Sequence, residues 1–180
     1  MSSTTVVAPP APDALRTNQD LDPQRLRAAF GVFPTGVVAL AACVDDQPVA
    51  LAASSFTSVS LDPPLVSISL ANTSKTWPDL RRAGHLGVTI LAEHHALLCR
   101  QLAGPVGQRF TGVDLTISPE GAVTLDEGLA RFECTVYDEV GAGDHTLVLL
   151  RLHAVHHASD DTDAGHPLVF HRSGFGRLHH

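Results

Sequence analysis

A chain of 180 residues, 44% apolar and 17% charged, is long enough to bury one core and too short for two comfortable ones. Its formal net charge of -7 argues against a protein that grips a phosphate backbone, and no apolar run approaches the ~20 residues of a membrane-spanning helix. Cys43, Cys99 and Cys134 are odd in number, far apart and without C-x-x-C spacing, a pattern of reduced cytoplasmic thiols rather than a disulfide framework.

Residues 1–20, rich in Ser, Thr, Pro and Ala and lacking a basic start followed by an apolar stretch, read as a disordered tail with no secretory signal. No linker or repeat divides the rest, so 21–178 reads as one domain. Asp22 as N-cap, Pro23 at the first helical position and Leu26, Ala29, Phe30 and Phe33 at helical spacing predict a short amphipathic helix. GVVALAACV (36–44) predicts a buried strand that turns at Asp45-Asp46-Gln47 into PVALAASSF, and LVSISLA after Asp62-Pro63-Pro64 predicts a third. Ser74–Pro78 opens a predicted helix ending near Gly84, with Arg81 and Arg82 set to complement its C-terminal dipole. HLGVTILA (85–92) is strand and EHHALLCRQLA helix; RFECTVYDEV (131–140) and HTLVLLRLHAVHHA (145–158) form a long hairpin around Gly141–Asp144; PLVFHR (167–172) is a last short strand. Strands dominate and connections are short, which favours a mostly β, antiparallel barrel with flanking helices over a parallel βαβ layout. Gly141-Ala142-Gly143 opens no helix and lacks a third glycine, so it is no dinucleotide fingerprint.

Three segments bear chemistry. Ser54-Ser55-Phe56-Thr57-Ser58 sets small hydroxyls and backbone groups where a flat ring could approach closely, and it also reads as a plain Ser/Thr turn capping its own backbone. Ser74-Lys75-Thr76 follows a strand and starts a helix, so its N–H groups suit an anion; a simple cap beside a solvated lysine is the alternative. Lys75 is the only lysine in the chain. Gly143-Asp144-His145 reads as a β-turn whose histidine begins a strand. The histidines do not suggest a metal: His153, His156 and His157 alternate across a strand, and His94-His95 and His179-His180 lack a carboxylate or Cys at ligand spacing. No G-x-S-x-G elbow supports a serine hydrolase.

Phe33-Pro34-Thr35-Gly36-Val37, then Ser54 to Val66 (S-S-F-T-S-V-S-L-D-P-P-L-V), Ser74-Lys75-Thr76-Trp77, Arg109-Phe110, Gly143-Asp144-His145 and Pro167-Leu168-Val169-Phe170 occur in an order that resembles the flavin reductase-like family over residues 22–178. These are FMN-binding split barrels that include the small reductases of two-component flavin monooxygenases. The resemblance implies an antiparallel Greek-key split barrel and an NAD(P)H:flavin oxidoreductase, with FMN or FAD as flavin, NADH or NADPH as electron donor, and a partner oxygenase. It assigns flavin contacts to Thr35, Ser54, Ser55, Phe56, Thr57, Ser58, Ser60, Ser74, Lys75, Thr76, Trp77, Arg109, Phe110, Phe170 and His171, and nicotinamide orientation to His145. Departures are Ser54 and Thr89, where the family often has Asn, and His171, where it commonly has Tyr; the two lost amides would weaken hydrogen bonding near the ring. Alternatives are a flavoprotein that keeps its flavin and acts on a small molecule, or a non-catalytic flavin-binding protein. A homodimer is expected, because GVVALAACV and LVLLRLHAV are apolar strands with too few helices to cover both faces.

Overall fold

The computed structural model describes residues 21–157 and 165–178; the expected tail at 1–20 and His179-His180 lie outside them. Among the described residues no helix is long and apolar enough to cross a membrane. Helix α1 (Pro23–Phe30) starts as its sequence dictates, Asp22 accepting from the N–H groups of Gln24 and Arg25 at 2.9 and 3.0 Å. Its apolar side meets no core: none of its residues is buried, and Phe30 and Phe33 are 69% and 73% exposed.

A two-residue strand β1 (Thr35–Gly36) leads into β2 (Val38–Val44). Asp45 and Asp46, both at positive φ, then turn the chain into β3 (Gln47–Ala53), the conformation a two-residue hairpin loop demands. The sequence reading missed the next strand, β4 (Thr57–Leu61), which pairs antiparallel with β5 (Pro64–Ala71). Its hydroxyl-rich, mostly exposed residues look like a loop because it is an edge strand with little to bury.

Helix α2 (Trp77–Arg82) is shorter than expected. Strand β6 (Leu86–Ile90) and helix α3 (Ala96–Leu102) follow, then a small ribbon of β7 (Leu115–Ile117) and β8 (Val123–Leu125) that no periodicity announced. Strands β9 (Ala130–Ala142) and β10 (His145–His157) form the expected hairpin. Finally β11 (Val169–His171) and β12 (Gly174–Gly176) make a second hairpin against β1.

The main sheet runs β3-β2-β6-β9-β10-β5-β4, every pairing antiparallel. Its two edge strands, β3 and β4, are consecutive in the chain, so the sheet curls into a barrel with a seam bridged by Ser54–Phe56. Strand alternation fills the interior with Val38, Leu40, Val66, Ile68, Leu70, Leu86, Val88, Val148 and Leu150. Trp77 and Leu80 of α2 join this cluster and plug one end.

The outer faces of β2, β3 and β6 carry Ala39, Ala41, Ala50 and Gly87, small enough for α3, β8 and Leu168 to lie directly on them. A Cβ at Gly87 would stand 1.9 Å from the Val123 carbonyl oxygen. Strand β2 is therefore buried on both faces within the chain, contrary to the reading that left GVVALAACV half uncovered; β8 and α3 supply the cover. The outer side of β10 stays half-exposed at Leu147 and Leu149.

Candidate functional site

At the end of β3 the seam opens into a narrow slot of about 120 Å³ between Val37, Ala52, Ala53, exposed Ser54, Cys99, Phe170 and Phe175. Phe170 and Phe175 face each other across the β11–β12 hairpin, centroids 5.6 Å apart at 57°, and the Arg100 guanidinium lies 5.9 Å from the Phe175 centroid. Thr35 pairs with Phe170, and its Oγ1 is the one buried side-chain polar atom without a hydrogen-bond partner among the described residues. Small floor residues, aromatic walls and an unsatisfied hydroxyl beside them are the chemistry a planar heteroaromatic ring with polar edges would use. Phe175 escaped the sequence reading, although it sits in register opposite Phe170.

The neighbouring hydroxyls are not all open. Ser55 Oγ donates to Ser69 O at 2.9 Å and accepts from Ser69 N at 3.0 Å. Phe56 turns inward and stacks on Phe132 at 6.3 Å and 24°. Thr57 and Ser58 are exposed on β4, and Ser60 is half-buried.

In the second segment Ser74 Oγ accepts from Trp77 N at 3.2 Å, the capping role weighed as the plain alternative. Lys75 is exposed. Arg109 reaches three places at once, donating to Ala50 O (2.7 Å), Gly104 O (2.9 Å) and Thr76 Oγ1 (3.0 Å). It thereby clamps the start of α2 to β3. Trp77 is buried, its Nε1 donating to Glu139 Oε1 at 3.1 Å, so its ring belongs to the barrel plug. Phe110 packs on the cluster beneath α3. His171 is exposed on the β11–β12 hairpin.

The β9–β10 turn meets this segment through Asn72, which the sequence reading missed. Asn72 N donates to Asp144 O (2.9 Å), its Nδ2 to Gly143 O (3.3 Å), and Thr146 Oγ1 donates to Asn72 Oδ1 (2.9 Å). A cleft of about 400 Å³ lies between, lined by Asn72, Ser74, Trp77, Arg81, Glu139 and Thr146 among others.

His145 Nδ1 lies 2.7 Å from Asp144 Oδ1. A carboxylate only accepts, so Nδ1 carries the proton and Nε2 is left to face outward. The His145 hydrogen bond and charge hold the Asp144 carboxyl below its ordinary value, and Arg27 of α1 is near enough to add to the effect.

The slot and the turn share β5: Ser55 bonds Ser69, and two residues on, roughly 7 Å along the strand, Ala71 pairs with His145.

Two expectations change. Thr89 does not face the slot: it is fully buried, its Oγ1 accepts from Leu125 N at 3.1 Å, and its methyl occupies the space a Cβ at Gly128 would need. It anchors β8. The pair His94-His95 does have a carboxylate neighbour, because the fold brings Glu127 to 3.3 Å from His94 Nε2 and groups all three residues. Yet His95 Nδ1 accepts from Ala92 N at 3.0 Å, which leaves the proton on Nε2 and no lone pair for a metal. Burial pushes the His95 pKa down to about 4, in keeping with a neutral ring.

The model of the flavin reductase like domain matches residues 30–179. A probable flavin reductase of Rhizobium meliloti is 38% identical over 77% of this chain, and the chain spans 45% of that protein's length. The reductase subunit HsaB of a flavin-dependent monooxygenase from Rhodococcus jostii is 32% identical, covering 86% of this chain and 77% of HsaB. Among solved structures, the NADH:FAD oxidoreductase SgcE6 of Streptomyces globisporus, in complex with NAD and FAD fragments, superposes with a TM-score of 0.78 at 30% identity, over 88% of this chain and 95% of that one.

Proposed function

Because this chain belongs to the flavin reductase-like family, we propose that it is an NADH-dependent flavin reductase that supplies reduced FMN or FAD to a partner flavin-dependent monooxygenase. The observation that carries the reading is a chain of contacts along β5: Ser55, next to slot residue Ser54, bonds Ser69, Ser74 N donates to Ala71 O, and Ala71 pairs with His145. The flavin, when bound, supplies the two-electron chemistry with the reduced nicotinamide; the chain supplies binding, orientation and exclusion of water.

Phe170 and Phe175 would wall the ring, and Ser54 would offer a hydroxyl and backbone groups at its edge. Exposed Lys75, beside Ser74 and Thr76, neutralises phosphate charge. Thr57, Ser58, Ser60 and His171 would offer further polar groups, and Arg109 would act by holding Thr76 at the start of α2. His145 would orient the nicotinamide through Nε2, and hydride transfer to the flavin would need no general base. A site with few fixed donors binds flavin weakly enough to release it, which suits delivery to a second protein. NADH is the donor in this reading, as it is in the names of SgcE6, the FMN reductase SmoA and a Rhodococcus flavin reductase.

The protein forms a homodimer in this reading. Leu147 and Leu149 on the outside of β10, exposed Val140 on β9 and the bare face of α1 give a two-fold interface its apolar area. Light scattering should give twice the 19.0 kDa protomer mass, and Leu149→Asp should return it towards the protomer.

The deciding experiment follows NADH oxidation by purified protein with and without added flavin. Turnover that depends on added FMN or FAD supports the reading. A tightly coloured protein with no turnover of free flavin overturns it.

A further inference from the structure

The register of the β4–β5 ladder has an unused position. Thr57 pairs with Ser67, so two residues further along an antiparallel ladder Ser55 stands opposite Ser69. The chain at 54–56 has left strand geometry there, and no backbone group of Ser55 bonds Ser69. Its side-chain oxygen does instead, donating to the carbonyl and accepting from the N–H of the same residue. One hydroxyl thus replaces the pair of bonds that a continuing ladder would make. On its other side β5 is already paired, Ser69 facing Leu147 of β10. Without Ser55, a part-buried N–H and C=O at the seam would lose their partners.

Ser54 is the residue next to this bond and lies in the wall of the slot, while Phe56 on the other side is anchored against Phe132 in the barrel. We propose that Ser55 is a positioning residue rather than a flavin ligand: its hydroxyl latches the seam and so holds Ser54 at the slot. The ligand named here rests on the flavin-reductase reading; the latch rests on geometry alone.

The full-length chain, Ser55→Ala and Ser55→Thr are compared by amide hydrogen exchange without ligand, by flavin fluorescence titration with FMN and riboflavin, and by NADH kinetics. Exchange at Ser69 should quicken about tenfold in Ser55→Ala. FMN and riboflavin should weaken together by about tenfold, with the flavin KM rising more than kcat falls, and Ser55→Thr should restore both. Flavin affinity lost while Ser69 stays protected would make Ser55 a direct ligand and overturn the proposal, as would unchanged exchange and affinity. Should Ser55→Ala not fold, the wild-type amide decides: exchange at Ser69 as fast as in exposed loops ends the latch, and protection upholds it. If the wild type binds no flavin, the functional reading falls while Ser69 exchange still judges the latch.

Discussion

The barrel wall has two unlike halves. Outside β2, β3 and β6 the surface is built of alanines and a glycine, and α3, β8 and Leu168 press onto it until Ala39, Ala41 and Ala50 are wholly buried. Outside β9, β10 and β4 the strands carry half-exposed leucines and valines, hydroxyls and charges, with no cover of comparable extent among the described residues. Thr57–Ser60 and His145 lie on the second half, while the Ser54 slot opens at the seam, its walls Phe170 and Phe175 packed against the covered side. Thr89 and His95 of the first half are consumed in holding the fold, and so are Ser55, Ser74 and Thr76 near the second, whereas Ser54 and Lys75 stay exposed. Stability is concentrated where elements cross at close range, and the exposed polar groups lie at the seam and beyond it.

Four experiments separate the halves, the first two expected in stability and the last two in ligand binding. Gly87→Ala should be the most damaging, because the new methyl meets backbone of β8 that cannot yield; a loss of about 3 kcal/mol or more in urea unfolding is expected. An unchanged midpoint would mean that β8 moves freely and the covered half is not rigid.

The second concerns His95. Its folded pKa is about 4 against an ordinary 6.5, so between those values the unfolded chain binds the extra proton. Stability from the neutral ring is therefore complete above about pH 6.5 and declines as pH falls towards 4, by ~3 kcal/mol at the limit. Unfolding curves of wild type and His95→Gln across that window check it: the variant should show a shallower decline, and parallel curves would remove His95 as the cause.

On the open half, Lys75→Ala should weaken FMN by about ten- to a hundredfold and riboflavin, which has no phosphate, hardly at all. Equal losses for both would move Lys75 into the structural class.

The smallest effect belongs to His145→Ala, which should raise the KM for NADH several-fold, with flavin affinity near the wild-type value. A lowered melting temperature with unaltered NADH kinetics would make His145 merely the start of a strand. A collapse of many thousandfold in the folded protein would point to proton transfer instead.

Local signals in the chain were enough for a good deal. Asp22-Pro23 marked the start of α1, the apolar runs marked β2, β5, β6, β9 and β10, and the ordered motifs identified the family, because each is written in neighbouring residues through capping, alternation or turn chemistry. What depended on distant chain segments was illegible. Nothing in S-S-F-T-S separates the hydroxyl of Ser55, spent on Ser69, from that of Ser54, left at the slot. Thr89 reads like any strand residue until Leu125 brings an N–H to it, and His94-His95 lack a carboxylate until Glu127 arrives from 32 residues away. Trp77 sits in a motif with Lys75, yet Glu139 draws it into the barrel plug. A hydrogen bond is decided by which two atoms the tertiary structure brings within about 3 Å, and that proximity is set by sheet order and register rather than by residue type. Sequence alone therefore determined the strand-rich architecture and the family; only the closed barrel decided which polar side chains are spent on the fold and which stay exposed.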